Sequence, residues 1–215
     1  MRAAGRRTPL PRSRVFRRLA IVGWERGPAG YAVTDPHGFQ SGYYSGSPDP
    51  IQNIPGSGAC ADEIDDAITG EAGSLAGSPV QTVMINSPAA GTFQFSLTGT
   101  AAGQLSLDIA TEASDGSIQS FSVSGSAAIG STTTYGLAYT SAPGGTKITT
   151  INGAAVSACD VNYDGSVNVS DVQSIVIEAL GLSAAVNDLD SDGVVNVVDV
   201  QIAVNAALGL SCAAQ

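Results

Sequence analysis

Basic residues are almost missing from most of this chain. Of the nine Lys and Arg in 215 residues, eight fall within the first 26 and only Lys147 lies beyond. After Arg26 that single lysine faces eighteen acids. Neutralising a phosphate backbone needs Lys and Arg, so nucleic acid is excluded as a partner, and so acidic a surface instead concentrates divalent cations. Histidine occurs once, as His37 in the turn-like "DPHGF", and no Gly-x-Ser-x-Gly elbow is present. No run of 18 apolar residues occurs, so no transmembrane helix is expected. Charged residues make up only 13% and apolar ones 43%, a balance that supplies a core and argues against disorder over the whole chain.

The basic start ends in "RRLAIVGWERG" and has the positive flank of an export signal. Its apolar stretch "LAIVGW" is six residues long, whereas an export core needs about 7–15. Residues 1–26 are therefore expected to be a disordered basic arm, with no clear signal peptide. Residues 27–78 are crowded with turn signals such as Asp35-Pro36, His37-Gly38 and Ser47-Pro48, and are expected to be an irregular Gly/Pro/Ser-rich segment with one or two short strands. Within it, "ADEIDDAITGE" gathers Asp62, Glu63, Asp65, Asp66 and Glu71. Paired carboxylates serve glycosidases, but these lack aromatic sugar platforms nearby and are better explained as a solvated face, with a further weak calcium site as the second reading. Tyr43-Tyr44 could stack on a sugar or close a turn. No catalytic residue is expected.

From Pro79 the pattern changes to period two. Phe93, Phe95 and Leu97 alternate with polar residues, as do Leu105, Leu107 and Ile109, then Phe121 and Val123, then Tyr135, Leu137 and Tyr139. Such alternation marks half-buried strands. Asp115-Gly116 signals a two-residue hairpin. Residues 79–156 are thus expected to fold as an antiparallel β-sandwich. The stretch "INSPAAGTFQFSLTGTAAGQLSLDI" also resembles the Ig-like or pre-peptidase-type sandwich modules of secreted bacterial proteins, over residues 79–152.

Near the C-terminus the chain repeats itself at a spacing of 28, "CDVNYDGSVNVSDV" and then "NDLDSDGVVNVVDV". Counted from the first Asp of each copy, positions 1, 3, 5, 6, 9 and 12 are Asp160, Asn162, Asp164, Gly165, Asn168 and Asp171, then Asp188, Asp190, Asp192, Gly193, Asn196 and Asp199. Oxygen donors at 1, 3 and 5, a turn glycine at 6, a main-chain carbonyl at 7 (Ser166, Val194) and donors at 9 and 12 make a twelve-residue calcium loop. Calcium is a hard cation that takes about six to eight oxygens, and a tightly curled loop turns alternate residues inward to supply them. Each loop runs into an apolar stretch at helical spacing that ends at Gly181 or Gly209.

Neither loop is preceded by a helix pattern, and position 12 is Asp. In both respects residues 159–212 resemble the type I dockerin family, whose pattern Asp-x-Asn-x-Asp-Gly-x-[Val/Ile]-Asn-x-x-Asp is intact in "DVNYDGSVNVSD" and carries Asp at its third position in "DLDSDGVVNVVD". The resemblance implies a module over residues 157–215 that binds two Ca2+ ions through loop–helix units and docks onto a cohesin-type partner. That partner belongs to extracellular, cellulosome-like assemblies for polysaccharide degradation. The expected partner face begins at positions 10 and 11, Val169-Ser170 and Val197-Val198. Family members with well-developed cohesin binding carry Lys or Arg late in the helices, and this chain has none from Cys159 to Gln215. The module's pseudo-twofold symmetry would bring its ends together, so a Cys159–Cys212 disulfide is expected, which implies an oxidising, extracellular or cell-surface setting. Cys60 is left over.

Three functions follow as expectations: a secreted non-catalytic protein that docks through its calcium module; a calcium-stabilised cell-surface structural protein whose module packs on its own sandwich; and a glycan-binding or glycoside-hydrolase fragment.

Overall fold

The computed structural model describes residues 20–44, 47, 49–62 and 80–214. Two antiparallel sheets form the body. One has five strands in the order β5 (Ser57–Asp62), β6 (Val80–Asn86), β1 (Ala20–Arg26), β8 (Gly103–Glu112), β9 (Ile118–Ala127). The other has seven, in the order β12 (Ala154–Ala155), β11 (Lys147–Ile151), β10 (Thr132–Tyr139), β7 (Gly91–Gly99), β2 (Ala29–Thr34), β3 (Gln40–Gly42), β4 (Ile51–Gln52). The predicted alternation determines what each strand buries. Phe93, Phe95 and Leu97 of β7 and Leu137 of β10 meet Leu107 and Ile109 of β8 in one core shared by both sheets. Two helices, α1 (Val169–Ala179) and α2 (Val197–Ala207), follow and surround a separate small core of Cys159, Ile175, Leu189, Val195, Ala203 and Ala206.

The body begins earlier than expected. Residues 20–26, assigned to a disordered arm, form β1 in the middle of the five-stranded sheet, paired with β6 on one side and β8 on the other. Six apolar residues are too few for an export core and enough for a strand. The segment 27–78, expected to be largely irregular, contributes β2 to β5. Its glycines permit this where sheets crowd: Gly42 has φ 133°, and a Cβ there would strike the Tyr31 carbonyl. Residues 1–19 of the arm and Glu63, Asp65, Asp66 and Glu71 lie outside the described residues. The turn at Asp115-Gly116 is also one residue longer than a two-residue hairpin. Ala113 N–H donates to Ser117 O (2.9 Å), Gly116 N–H donates to Ala113 O (2.9 Å), and Gly116 has φ 85°. This is a turn closed by a left-handed glycine, the commoner three-residue solution.

The core contains one polar knot. Glu25 points inward from β1 and is fully buried, and neither carboxylate oxygen has a hydrogen-bond partner. Its neighbour across β6 is Gln81, which accepts from Tyr31 N–H (3.2 Å) and donates to Ala29 O (2.6 Å), tying one sheet to the other. The Tyr31 hydroxyl, also buried and unpartnered, occupies the space that a Cβ at Gly23 would fill. Burial pushes the Glu25 carboxyl up to about 8. Burial and then the Glu25 carboxylate push the Tyr31 hydroxyl up as well.

Candidate metal centres

The two repeats fold alike down to individual hydrogen bonds. In the first, Asp160 Oδ2 accepts from Gly165 N–H (3.0 Å), Asp164 Oδ1 from Ser166 N–H (2.9 Å) and Asn162 Oδ1 from Asp164 N–H (2.9 Å). In the second, Asp188 Oδ2 accepts from Gly193 N–H (2.7 Å), Asp192 Oδ1 from Val194 N–H (2.8 Å) and Asp190 Oδ1 from Asp192 N–H (3.2 Å). The curl needs positive φ at two places in each loop: Tyr163 (57°) and Gly165 (91°), Ser191 (61°) and Gly193 (91°).

Position 9 ends the loop and starts the helix. Asn168 and Asn196 are N-caps, accepting from Ser170 N–H and Val198 N–H at 2.8 Å. With Asp171 and Asp199 they form capping boxes, each worth about 1 kcal/mol. Their amides also donate to the position 7 carbonyls, Ser166 O and Val194 O, at 3.3 Å. Both helices close in Schellman motifs: Leu182 N–H donates to Ile177 O and Leu210 N–H to Asn205 O, each at 3.0 Å, around Gly181 and Gly209.

These bonds draw the expected donors together. In the second loop, one carboxylate oxygen from each of Asp188, Asp190 and Asp192 lies within 4.8 Å of the others. Asn196 Nδ2 approaches Asp192 Oδ2 at 3.3 Å, as Asn168 Nδ2 approaches Asp164 Oδ2 in the first loop. Partial burial and repulsion from Asp192 and Asp199 raise the Asp190 carboxyl, against the pull of the Asp192 N–H. Burial raises Asp160 too, aided by Asp171 and Asp164 and opposed by the Gly165 and Asp164 N–H groups. Like charges gathered with no basic residue in the module would suit a hard cation through their carboxylate oxygens, with Asn168 and Asn196 turning Nδ2 toward the carboxylates and Oδ1 to the helix N–H groups.

Position 12 has a second task. Asp171 and Asp199 are fully buried. Asp199 Oδ1 accepts from Leu189 N–H (2.7 Å) and Asp190 N–H (3.3 Å), and Oδ2 from Asn196 N–H (2.8 Å). Burial would raise this carboxyl, but those N–H groups outweigh it and its pKa is lowered. Asp171 accepts hydrogen bonds from the matching N–H groups of Val161, Asn162 and Asn168. A carboxylate has roughly four lone-pair sites, and these bonds engage three of them in each.

The remaining expected residues fall as follows. Cys159 and Cys212 form a disulfide, and Cys60 is exposed on β5. Val169, Ser170, Val197 and Val198 open the two helices with their side chains exposed, Val169 by 66% and Val197 by 76%. His37 sits exposed in its turn, with its backbone N–H and its ring facing Asp35. Comparison of the chain with protein-family models, with curated proteins and with solved structures finds no match.

Glu178 went unnoticed in the sequence. Its Oε2 accepts from Val186 N–H and Asn187 N–H (both 2.9 Å) and its Oε1 from Asn187 Nδ2 (2.6 Å). It thereby fastens the linker to α1 at the residue before Asp188. The available signal was the repeat itself, which has Ala206 at the matching place. Glu178→Ala should lower the module's stability by about 2 kcal/mol and weaken ion uptake by the second loop more than by the first. Melting curves beside calorimetric titration check this, and equal weakening of both loops would contradict it.

Proposed function

We propose that residues 157–215 are a dockerin-like module that takes two calcium ions and docks onto a cohesin-type partner, as part of a secreted, non-catalytic protein of a polysaccharide-degrading assembly. The first ion is held by Asp160, Asn162, Asp164, the Ser166 carbonyl, Asn168 and Asp171. The second is held by Asp188, Asp190, Asp192, the Val194 carbonyl, Asn196 and Asp199. The observation that carries this reading is the convergence of Asp188, Asp190 and Asp192 oxygens within 4.8 Å in a module without basic residues. Bound calcium supplies the positive charge that lets these oxygens stay together.

The partner face rests on the exposed valines. Val169, Val197 and Val198 are 66%, 76% and 46% exposed at helix starts, where they contribute little to folding; a small apolar patch suits an interface centre. Calorimetry of the full chain should show two calcium phases. The second loop, with four carboxylates against three, should fill first. Loss of the tighter phase in Asp160→Ala rather than in Asp188→Ala would contradict that order. In surface plasmon resonance against a cohesin panel, Val169→Asp alone should change affinity little, because the two units are related by pseudo-symmetry and either can dock. Val169→Asp with Val198→Asp should abolish binding while calcium uptake survives.

A second reading has its own observation. The Tyr163 ring of the first loop meets Phe121 of the body edge to face, centroids 6.1 Å apart. This favours a cell-surface structural protein whose module is seated on its own sheets. Failure of every cohesin to retain the unmutated, calcium-loaded chain would select it.

A further inference from the structure

The two loops match in backbone and differ in surroundings. Positions 5 to 7 are open to solvent in both (Asp164, Gly165 and Ser166; Asp192, Gly193 and Val194), and position 4 is open only in the second, at Ser191. The first lies against the body. Tyr163, at the place matching Ser191, packs on the shared core of the sheets and meets Phe121 of β9. Asp160 is only 3% exposed. A cleft of about 450 Å³ runs along this junction, lined by Ile151, Val156 and Ser157 on one side and by Asp160, Asp164 and Ser166 on the other.

The connection between body and loop is short and fastened. β12 ends at Ala155, and four residues separate it from Asp160. Val156 packs on the body's core and its N–H donates to Thr149 O (3.0 Å). Asp160 N–H donates to Ser157 O (3.0 Å). Tyr163 itself stands between two ion donors, Asn162 and Asp164, with φ 57°. A residue with a Cβ enters that region at a cost, and the same curl that turns its neighbours inward directs its ring outward onto Phe121.

We infer that seating of the module on the two-sheet body and cation binding by the first loop are one coupled event, transmitted by Tyr163, and that the second loop stands outside it. This rests on the calcium reading above. An ion between Asp160, Asn162 and Asp164 holds the curl that presents the Tyr163 ring. A ring held against Phe121 in turn keeps the curl ready for the ion. Coupling of this kind is reciprocal: whatever factor the body adds to calcium affinity, calcium adds to the seating of the body. The first loop is then a structural joint, and the second is the site that responds to calcium independently.

The test uses the full chain, calcium chloride and three proteins: unmutated, Tyr163→Ser and Tyr163→Phe. Calorimetry should show one calcium phase weakened roughly fivefold in Tyr163→Ser and the other unchanged, with the weakened phase restored in Tyr163→Phe, which keeps the ring. Trp24 on β1 is the chain's sole tryptophan, and its fluorescence follows unfolding of the body. Calcium should raise that transition in the unmutated chain and in Tyr163→Phe, and raise it less in Tyr163→Ser. The intact second phase reports that the serine variant is folded. Two phases that are unaltered in Tyr163→Ser, or a Trp24 transition indifferent to calcium in the unmutated chain, would overturn the coupling and leave the calcium reading standing. Absence of calcium uptake by the unmutated chain would overturn both.

Discussion

Raising the pH from 5 to 9 should destabilise the two-sheet body, and Glu25→Gln should abolish most of that loss. The buried Glu25 carboxyl is pushed from an ordinary 4.5 up to about 8. Between those values the folded chain keeps a proton that the unfolded chain has released. The proton-linked stability is therefore complete below pH 4.5, falls as the pH rises, and is flat above about 8. The slope is roughly 1.4 kcal/mol for each pH unit, a total on the order of 4 kcal/mol, or on the order of 10 °C in melting temperature for a protein of this size. The physical cause is visible in the packing: both carboxylate oxygens are buried without a partner, and a charge there has nothing to offset its lost hydration. Glu25→Gln has nearly the shape of the protonated acid. It should match the unmutated chain near pH 4.5 and exceed it at pH 9. Parallel slopes for the two proteins, followed through Trp24 fluorescence across this range, would refute the assignment.

Stripping calcium should remove most of the helical signal. Three carboxylates in the first loop and four in the second repel one another, with no basic residue from Cys159 to Gln215. The small core around Ile175 and Ala203 has little to set against that. On the reading proposed above, ion binding is part of the folding free energy of the module. Calcium at about a thousand times its Kd contributes about 4 kcal/mol per site. Circular dichroism of the full chain should therefore lose the signal of the two eleven-residue helices in EDTA and regain it in calcium, while the sheet signal persists. Helix content indifferent to the chelator would sink the idea.

The parts legible in the sequence were those governed by local rules. Period-two alternation located Phe93, Phe95, Leu107 and Leu137 in the core because a strand permits only two directions for a side chain. Asn168 and Asn196 could be read as loop members because the repeat is strict, and Gly181 and Gly209 as helix ends because only a left-handed residue closes them so readily. What escaped was set by distant partners. "AIVGW" carries no mark of its place between β6 and β8, since a strand's neighbours are chosen by the whole sheet. In the sequence Glu25-Arg26 only marks the end of that apolar stretch. Only the register of β1 turns Glu25 inward and leaves Arg26 to meet Asp108 at 3.4 Å. Asp171 and Asp199 were anticipated as ion donors, and their hydrogen bonds to the start of each loop were not, because those contacts span nine or ten residues.

The Cys159–Cys212 bond has a mechanical consequence. It joins the last residue before the first loop to a residue beyond the second helix, so everything between forms a closed ring. A pulling force entering through β12 and leaving through the C-terminus would cross from one sulfur to the other and leave both loops and both helices unloaded. A force entering through a partner gripping Val169 or Val198 would instead be borne by a ring that can be tugged but not unthreaded. Tension along the chain and tension on the proposed docking face would thus be borne by different bonds.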